Sequence, residues 1–79
     1  MSVLSKEPDG LGFYYGFIEG DLRRIDVREE HINYTFADEP YSDFFWVAYV
    51  AGKEIGWFLT KERAEESAVE YIKTNKLQT

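Results

Sequence analysis

A mostly antiparallel sheet of about five short strands, joined as a meander and covered on one face by a C-terminal helix, is the α+β fold this sequence predicts. The prediction rests on aromatic and β-branched runs that alternate between two faces, on turn signals between those runs, and on a capped apolar stripe of helical period at the end of the chain.

Residues 1–10 read as a flexible lead-in, with Pro8-Asp9-Gly10 as a turn signal, and residues 11–79 as a single domain. Leu11 to Ile18 is the first expected strand, in which Gly12 and Gly16 mark a bulge or a close backbone approach. Glu19-Gly20-Asp21 turns the chain. Leu22 to Arg28 admits two readings. Ile25 and Val27 alternate with charged residues as in a strand, whereas Asp21 could cap a helix carrying Leu22, Ile25 and Glu29. A helix over residues 21–30 would give the order β-α-β-β-β-α and a ferredoxin-like split sheet. In His31 to Phe36, Ile32, Tyr34 and Phe36 point one way and His31, Asn33 and Thr35 the other. Ala37 to Asp43 reads as a polar loop in which Pro40 stops pairing.

The clearest block follows. Phe44 to Val50 is apolar on both alternating faces, which suits a central strand. Gly52 supplies the positive φ of a hairpin turn, and Glu54 to Leu59 returns as the partner strand with Ile55, Trp57 and Leu59 on one face. Thr60 is the expected N-cap, with Glu62 in the first turn. Ala64, Ala68, Tyr71 and Ile72 form the apolar stripe, opposite Glu62, Glu66, Glu70 and Lys73.

Composition narrows the function. A chain of 79 residues buries only about 60% of its unfolded surface, so its core is small. There are no cysteines, hence no disulfide framework and no thiolate metal site. No run approaches a membrane span and no signal peptide is visible, so a cytoplasmic protein is expected. The net charge is −6, and residues 29–43 contribute acids without a single Lys or Arg. Such a field disfavours nucleic acid and anionic membranes and favours basic partners.

No catalytic pattern emerges. His31 is the one histidine and no nucleophile is identified beside it. Asp38, Glu39 and Asp43 match no calcium-loop spacing. Gly12 to Ile18 faintly resembles the base-stacking strand of RNA-recognition domains but lacks its basic leader. Arg23, Arg24 and Arg28 are expected to pair with neighbouring acids. No enzyme, cofactor or metal site is therefore expected. Six Phe, six Tyr and two Trp exceed what one small core hides, so some of Tyr14, Tyr15, Tyr41, Phe45 and Tyr49 should be exposed.

In size, acidity, lack of cysteine and sheet-plus-helix plan the chain resembles small phage-encoded inhibitors, including anti-CRISPR proteins. The resemblance implies a non-catalytic inhibitor, of DNA-mimic type, that docks on a basic nucleic-acid-binding surface of a partner protein. The expected binding residues are Glu29, Glu30, Asp38, Glu39, Asp43, Tyr41, Phe45 and Tyr49, with Glu29 and Glu30 forming one acidic patch and the other acids a second patch about 20–30 Å away. The alternative is a structural or regulatory homodimer associating through its aromatic sheet face.

Overall fold

The computed structural model describes residues 3–75. Residues 1–2 of the expected lead-in and residues 76–79 lie outside them. The chain runs β1 (Tyr14–Gly16), β2 (Ile25–Phe36), β3 (Glu39–Val50), β4 (Lys53–Phe58) and α1 (Lys61–Thr74). The strands form one antiparallel sheet in the order β1-β2-β3-β4, a meander.

There are four strands rather than about five because two expected strands are one. Glu29 and Glu30 carry neither Gly nor Pro beside them, so nothing turns the chain, and β2 runs unbroken through them from Ile25 to Phe36. The helix that a ferredoxin-like split requires over residues 21–30 is absent, since Ile25 to Glu30 pair with β3. The expected loop 37–43 is also shorter. Ala37 (φ 52°) and Asp38 (φ 65°) alone make the turn, and Glu39 to Asp43 already belong to β3. Positive φ at both central residues is the geometry of a type I′ hairpin turn, adopted here without glycine. Pro40 does not stop pairing, because it sits opposite Thr35 where its missing N–H would face away from β2.

The second hairpin turns on Ala51 and Gly52, again both at positive φ. A bulge follows between β3 and β4 at Ala48/Tyr49. The extra residue is Ile55, which packs against the helix-side core, while Trp57 lies opposite Val47 on the other face. The expected common face of Ile55, Trp57 and Leu59 is thereby broken, and Leu59 ends exposed beyond the strand.

The helix behaves as its sequence dictates. Thr60 Oγ1 accepts the Arg63 N–H at 3.1 Å, and Glu62 lies in the first turn. Ala64, Ala68 and Ile72 are buried, with Tyr71 packed beside them. The alanines bring the helix axis close to Ile25, Val27, Ala48 and Val50, which are at most 2% exposed. Arg23 closes the other end, donating to Asn75 O at 2.7 Å and Ile72 O at 3.3 Å where the helix dipole favours a cation.

Residues 3 and 4 of the lead-in pack into this core. Leu4 is buried and bridges Gly16, and a Cβ at Gly16 would stand 1.9 Å from Val3 O. The expected close backbone approach at Gly16 is thus made by residues 3–4. Strand β1 is correspondingly short, since Gly12 (φ 87°) lies in a turn held by Asp9, whose carboxylate accepts the Leu11 and Phe13 N–H groups. No helix among the described residues is long and apolar enough to cross a membrane.

Helix α1 contacts β2, β3 and β4 on one face. Strand β1 reaches only Ile25 to Val27 along β2, and β4 reaches only Trp46 to Val50 along β3. Residues 31–36 and 39–44 therefore pair only with each other and project as a two-stranded arm. The arm explains principal extents of 45 × 28 × 20 Å and a radius of gyration of 13.6 Å, against about 12 Å for a compact chain of this length.

Candidate functional site

The sheet face turned away from α1 gathers most of the predicted binding residues. Side chains alternate along each strand, so Asp26, Arg28, Glu30, Ile32, Tyr34 and Phe36 of β2 share that face with their cross-strand partners Tyr49, Val47, Phe45, Asp43, Tyr41 and Glu39 of β3. Of the eight expected residues, Glu30, Glu39, Tyr41, Asp43, Phe45 and Tyr49 lie together here. Asp38 sits in the turn at the arm's tip. Glu29 is opposite Trp46 and points to the helix side, so it does not join Glu30 in a patch.

The register also breaks up the second acidic patch. Asp43 pairs with Ile32, about 7 Å along the strand from the Glu30 row, while Glu39 lies about 14 Å beyond it. The acids are thus strung along the face rather than collected at its ends. They are interleaved with rings. Phe36 meets Tyr41 at 6.5 Å between centroids, Tyr41 stacks on Tyr34 at 5.5 Å, and Tyr34 meets Phe45 edge-on at 5.8 Å. Phe45 in turn meets Trp57 at 5.7 Å. The result is a continuous aromatic row from the tip of the arm to β4. Phe36 is 69% exposed, Trp57 47% and Tyr41 44%.

Two of the acids are tied to ring hydroxyls. Tyr34 Oη donates to Asp43 at 2.7 Å, and the adjoining carboxylate raises the phenol pKa. Tyr49 Oη donates to Glu30 at 2.6 Å, and burial together with that carboxylate pushes its pKa to about 12. Both phenols therefore stay protonated and keep donating to their carboxyl partners.

Three of the chain's cations are engaged at the base of the molecule. Arg24 pairs with Asp26 at 2.8 Å and Asp9 at 3.0 Å and lies over Tyr15; Arg28 lies over Phe13 and reaches Glu30 at 3.5 Å. Lys61 lies over Tyr14. These pairings are the ones expected of the basic cluster. A cleft of about 530 Å³ at the base of the face is lined by Asp9, Phe13, Arg24, Asp26 and Tyr49, and its one cation, Arg24, is shared by its two acids. Among the described residues, every ring with a cation over it belongs to the base of the molecule, and none to Tyr34, Phe36, Tyr41 or Phe45.

Tyr34, Phe36 and Trp57 were not among the expected binding residues. The alternation of His31 to Phe36 did place Tyr34 and Phe36 on one face, but nothing in the sequence showed that this strand extends past the helix. Of the five rings among which some were expected to be exposed, Tyr15 and Tyr41 are, while Tyr14 packs toward the core beside Trp46.

His31 hydrogen-bonds Ser42 across the arm and lies against Phe44, both on the helix side. A hydroxyl–imidazole pair is the start of a nucleophilic site, yet among the described residues no carboxylate orients the ring, and the pair stands in solvent. Among the described residues no group of three or more potential metal ligands converges.

Comparison with known proteins finds no matching family, no matching curated protein and no matching solved structure.

Proposed function

We propose that the protein is a non-catalytic binding module whose uncovered sheet face docks on a basic surface of a partner protein. The observation that carries this reading is the aromatic row Phe36–Tyr41–Tyr34–Phe45–Trp57, interleaved with Glu39, Asp43 and Glu30 and free of the chain's own cations along the arm. Tyr and Trp dominate the energetics of protein interfaces, and a ring face beside a carboxylate accepts Lys or Arg both by cation–π attraction and by ion pairing. The acids would steer encounter, and the rings would slow dissociation.

Docking on a nucleic-acid-binding surface would make the module an inhibitor by occupancy, acting in the cytoplasm, as in the phage-encoded inhibitors it resembles. Its acids spaced along one strand pair would stand in for phosphates, with the rings taking the place of bases.

The test is affinity capture from the source cell with wild type, with Tyr41→Ala/Trp57→Ala, and with Glu30→Gln/Glu39→Gln/Asp43→Asn. The expected result is one protein with a basic surface, retained at low salt, weakened by high salt, and lost with either variant. Equal capture by all three forms at both salt concentrations would refute the reading.

A further inference from the structure

The arm has two free edges, and they differ. On β3 the edge carries Pro40, which has no N–H to offer, and acids on either side of it at Glu39 and Asp43. On β2 the edge from His31 to Phe36 has no Pro, no Gly and no acid or Lys, in a run rich in β-forming residues. That is the signature of a strand ready to accept another strand.

Its outward hydrogen-bonding groups are fixed by register. Phe36 and Glu39 flank the turn as a hydrogen-bonded pair, so the even-numbered residues of β2 bond β3 and the odd-numbered ones face outward. The Ala51 N–H bond to Arg24 O on the inner side, and the pairing of Tyr14 with Val27 on the outer side, agree with this assignment. His31, Asn33 and Thr35 therefore present unpaired N–H and C=O groups.

We propose that two copies of the chain join through this edge, antiparallel, about a two-fold axis that passes between Asn33 and the partner's Asn33. The two-fold keeps each face of the sheet continuous only if paired residues have numbers of the same parity. Three such registers are near. The one centred on Tyr34 sets Glu30 against the partner's Asp38, like against like. The one centred on Ile32 drives the partner's turn onto Val27, whose outer edge Tyr14 already occupies. The one centred on Asn33 keeps like charges apart, stops short of the Tyr14–Val27 pair, and brings the partner's Asp38 to Arg28 beside the Phe13 ring.

Arg28 is the right cation for that role. Its guanidinium lies over the Phe13 ring and reaches Leu11 O at 3.3 Å and Glu30 at 3.5 Å, and its Nε is the single buried side-chain polar atom without a hydrogen bond among the described residues. Asp38 stands at the tip of the arm, placed by its positive φ. The same register sets Ile32 against the partner's Tyr34, so the aromatic rows of the two copies meet. The dimer doubles the four-stranded sheet and leaves its uncovered face open to a basic partner.

The chain has no cysteine, which makes the test clean. A hydrogen-bonded antiparallel pair has Cα atoms about 5.5 Å apart, within disulfide reach. Asn33→Cys should therefore crosslink to its own copy under mild oxidation. Thr35→Cys faces the same way but lies about 13 Å from its copy, so it should not. Wild type in sedimentation should show a mass twice 9.3 kDa at high concentration. Asp38→Arg should raise the dimer dissociation constant at least about tenfold while the far-UV spectrum stays unchanged. Equal crosslinking of the two cysteine variants would overturn the register. A wild type that remains monomeric near millimolar concentration would overturn the dimer, as would an edge occupied only by added basic peptide.

Discussion

The two halves of the β2–β3 hairpin share one ladder and one pair of strands, but little else. At the base, residues 25–30 pair with 45–50, and Ile25, Val27, Val47, Ala48 and Val50 are at most 2% exposed. In the arm, residues 31–36 pair with 39–44, and no residue is buried. The backbone hydrogen bonding is the same in kind, so the difference shows what the ladder alone supplies. An isolated two-stranded hairpin is marginal in water, and the base is secured by the helix pressed onto it. The arm has only its cross-strand rings, each pair worth about 0.2–1 kcal/mol. Its aromatics would be a poor use of apolar surface in a purely structural element, which supports the proposed binding role.

Mutations at the two halves should differ accordingly. Ala68→Glu, which puts a charge where the helix meets the base, should cost at least about 3 kcal/mol. Ile72→Ala should cost about 2–4 kcal/mol. Phe36→Ala or Phe44→Ala in the arm should each cost under about 1 kcal/mol. Urea denaturation of the four variants measures this directly. An arm variant as damaging as Ile72→Ala would mean that the arm is a structural part of the core.

The turn sharpens the comparison. Ala37 and Asp38 both occupy left-handed backbone without glycine. Replacing them together by Asn-Gly should stabilise the arm by about 1 kcal/mol. The arm is expected to open without the base, so the gain should appear as slower amide exchange at Ile32 and Tyr34, with the global denaturation midpoint nearly unmoved. A matching rise in the global midpoint would show that the two halves unfold together.

The smallest expected effect lies at the base, in the Arg23–Asp21 pair that ties the β1–β2 connection to the helix end. The guanidinium hydrogen bond holds the Asp21 carboxyl at about 2, against an ordinary 3.8. A folded pKa below the unfolded one contributes stability above 3.8 that is lost as pH falls through about 2. Asp21→Asn should therefore lower the thermal midpoint slightly at neutral pH, and the gap to wild type should close across that acid range. A gap unchanged at pH 2 would mean that the charge is not what holds Arg23.

The same contrast explains what was legible in the sequence. The helix was, because Thr60, Ala64, Ala68 and Ile72 each carry a local signal that tertiary packing only reinforces. So was the meander. Strand length was not. Glu29 and Glu30 suggested a boundary on charge alone, although both side chains find room on a half-covered sheet. Pro40 suggested a stop, although a proline is harmless on a free edge. The bulge that turned Ile55 to the core lay in backbone geometry with no distinctive residue. The first two misses concern how far a strand runs past its neighbours, which is decided by what those neighbours cover.

Amide hydrogen exchange, followed residue by residue in dilute solution, tests the central claim most directly. The N–H groups of Arg28 and Val47 at the base, and of Ile32, Tyr34, Tyr41 and Asp43 in the arm, all lie in the same β2–β3 ladder. The arm amides should exchange through local openings at least about 2 kcal/mol easier than those of the base, which should approach the global unfolding free energy. Equal protection along the whole hairpin would contradict it.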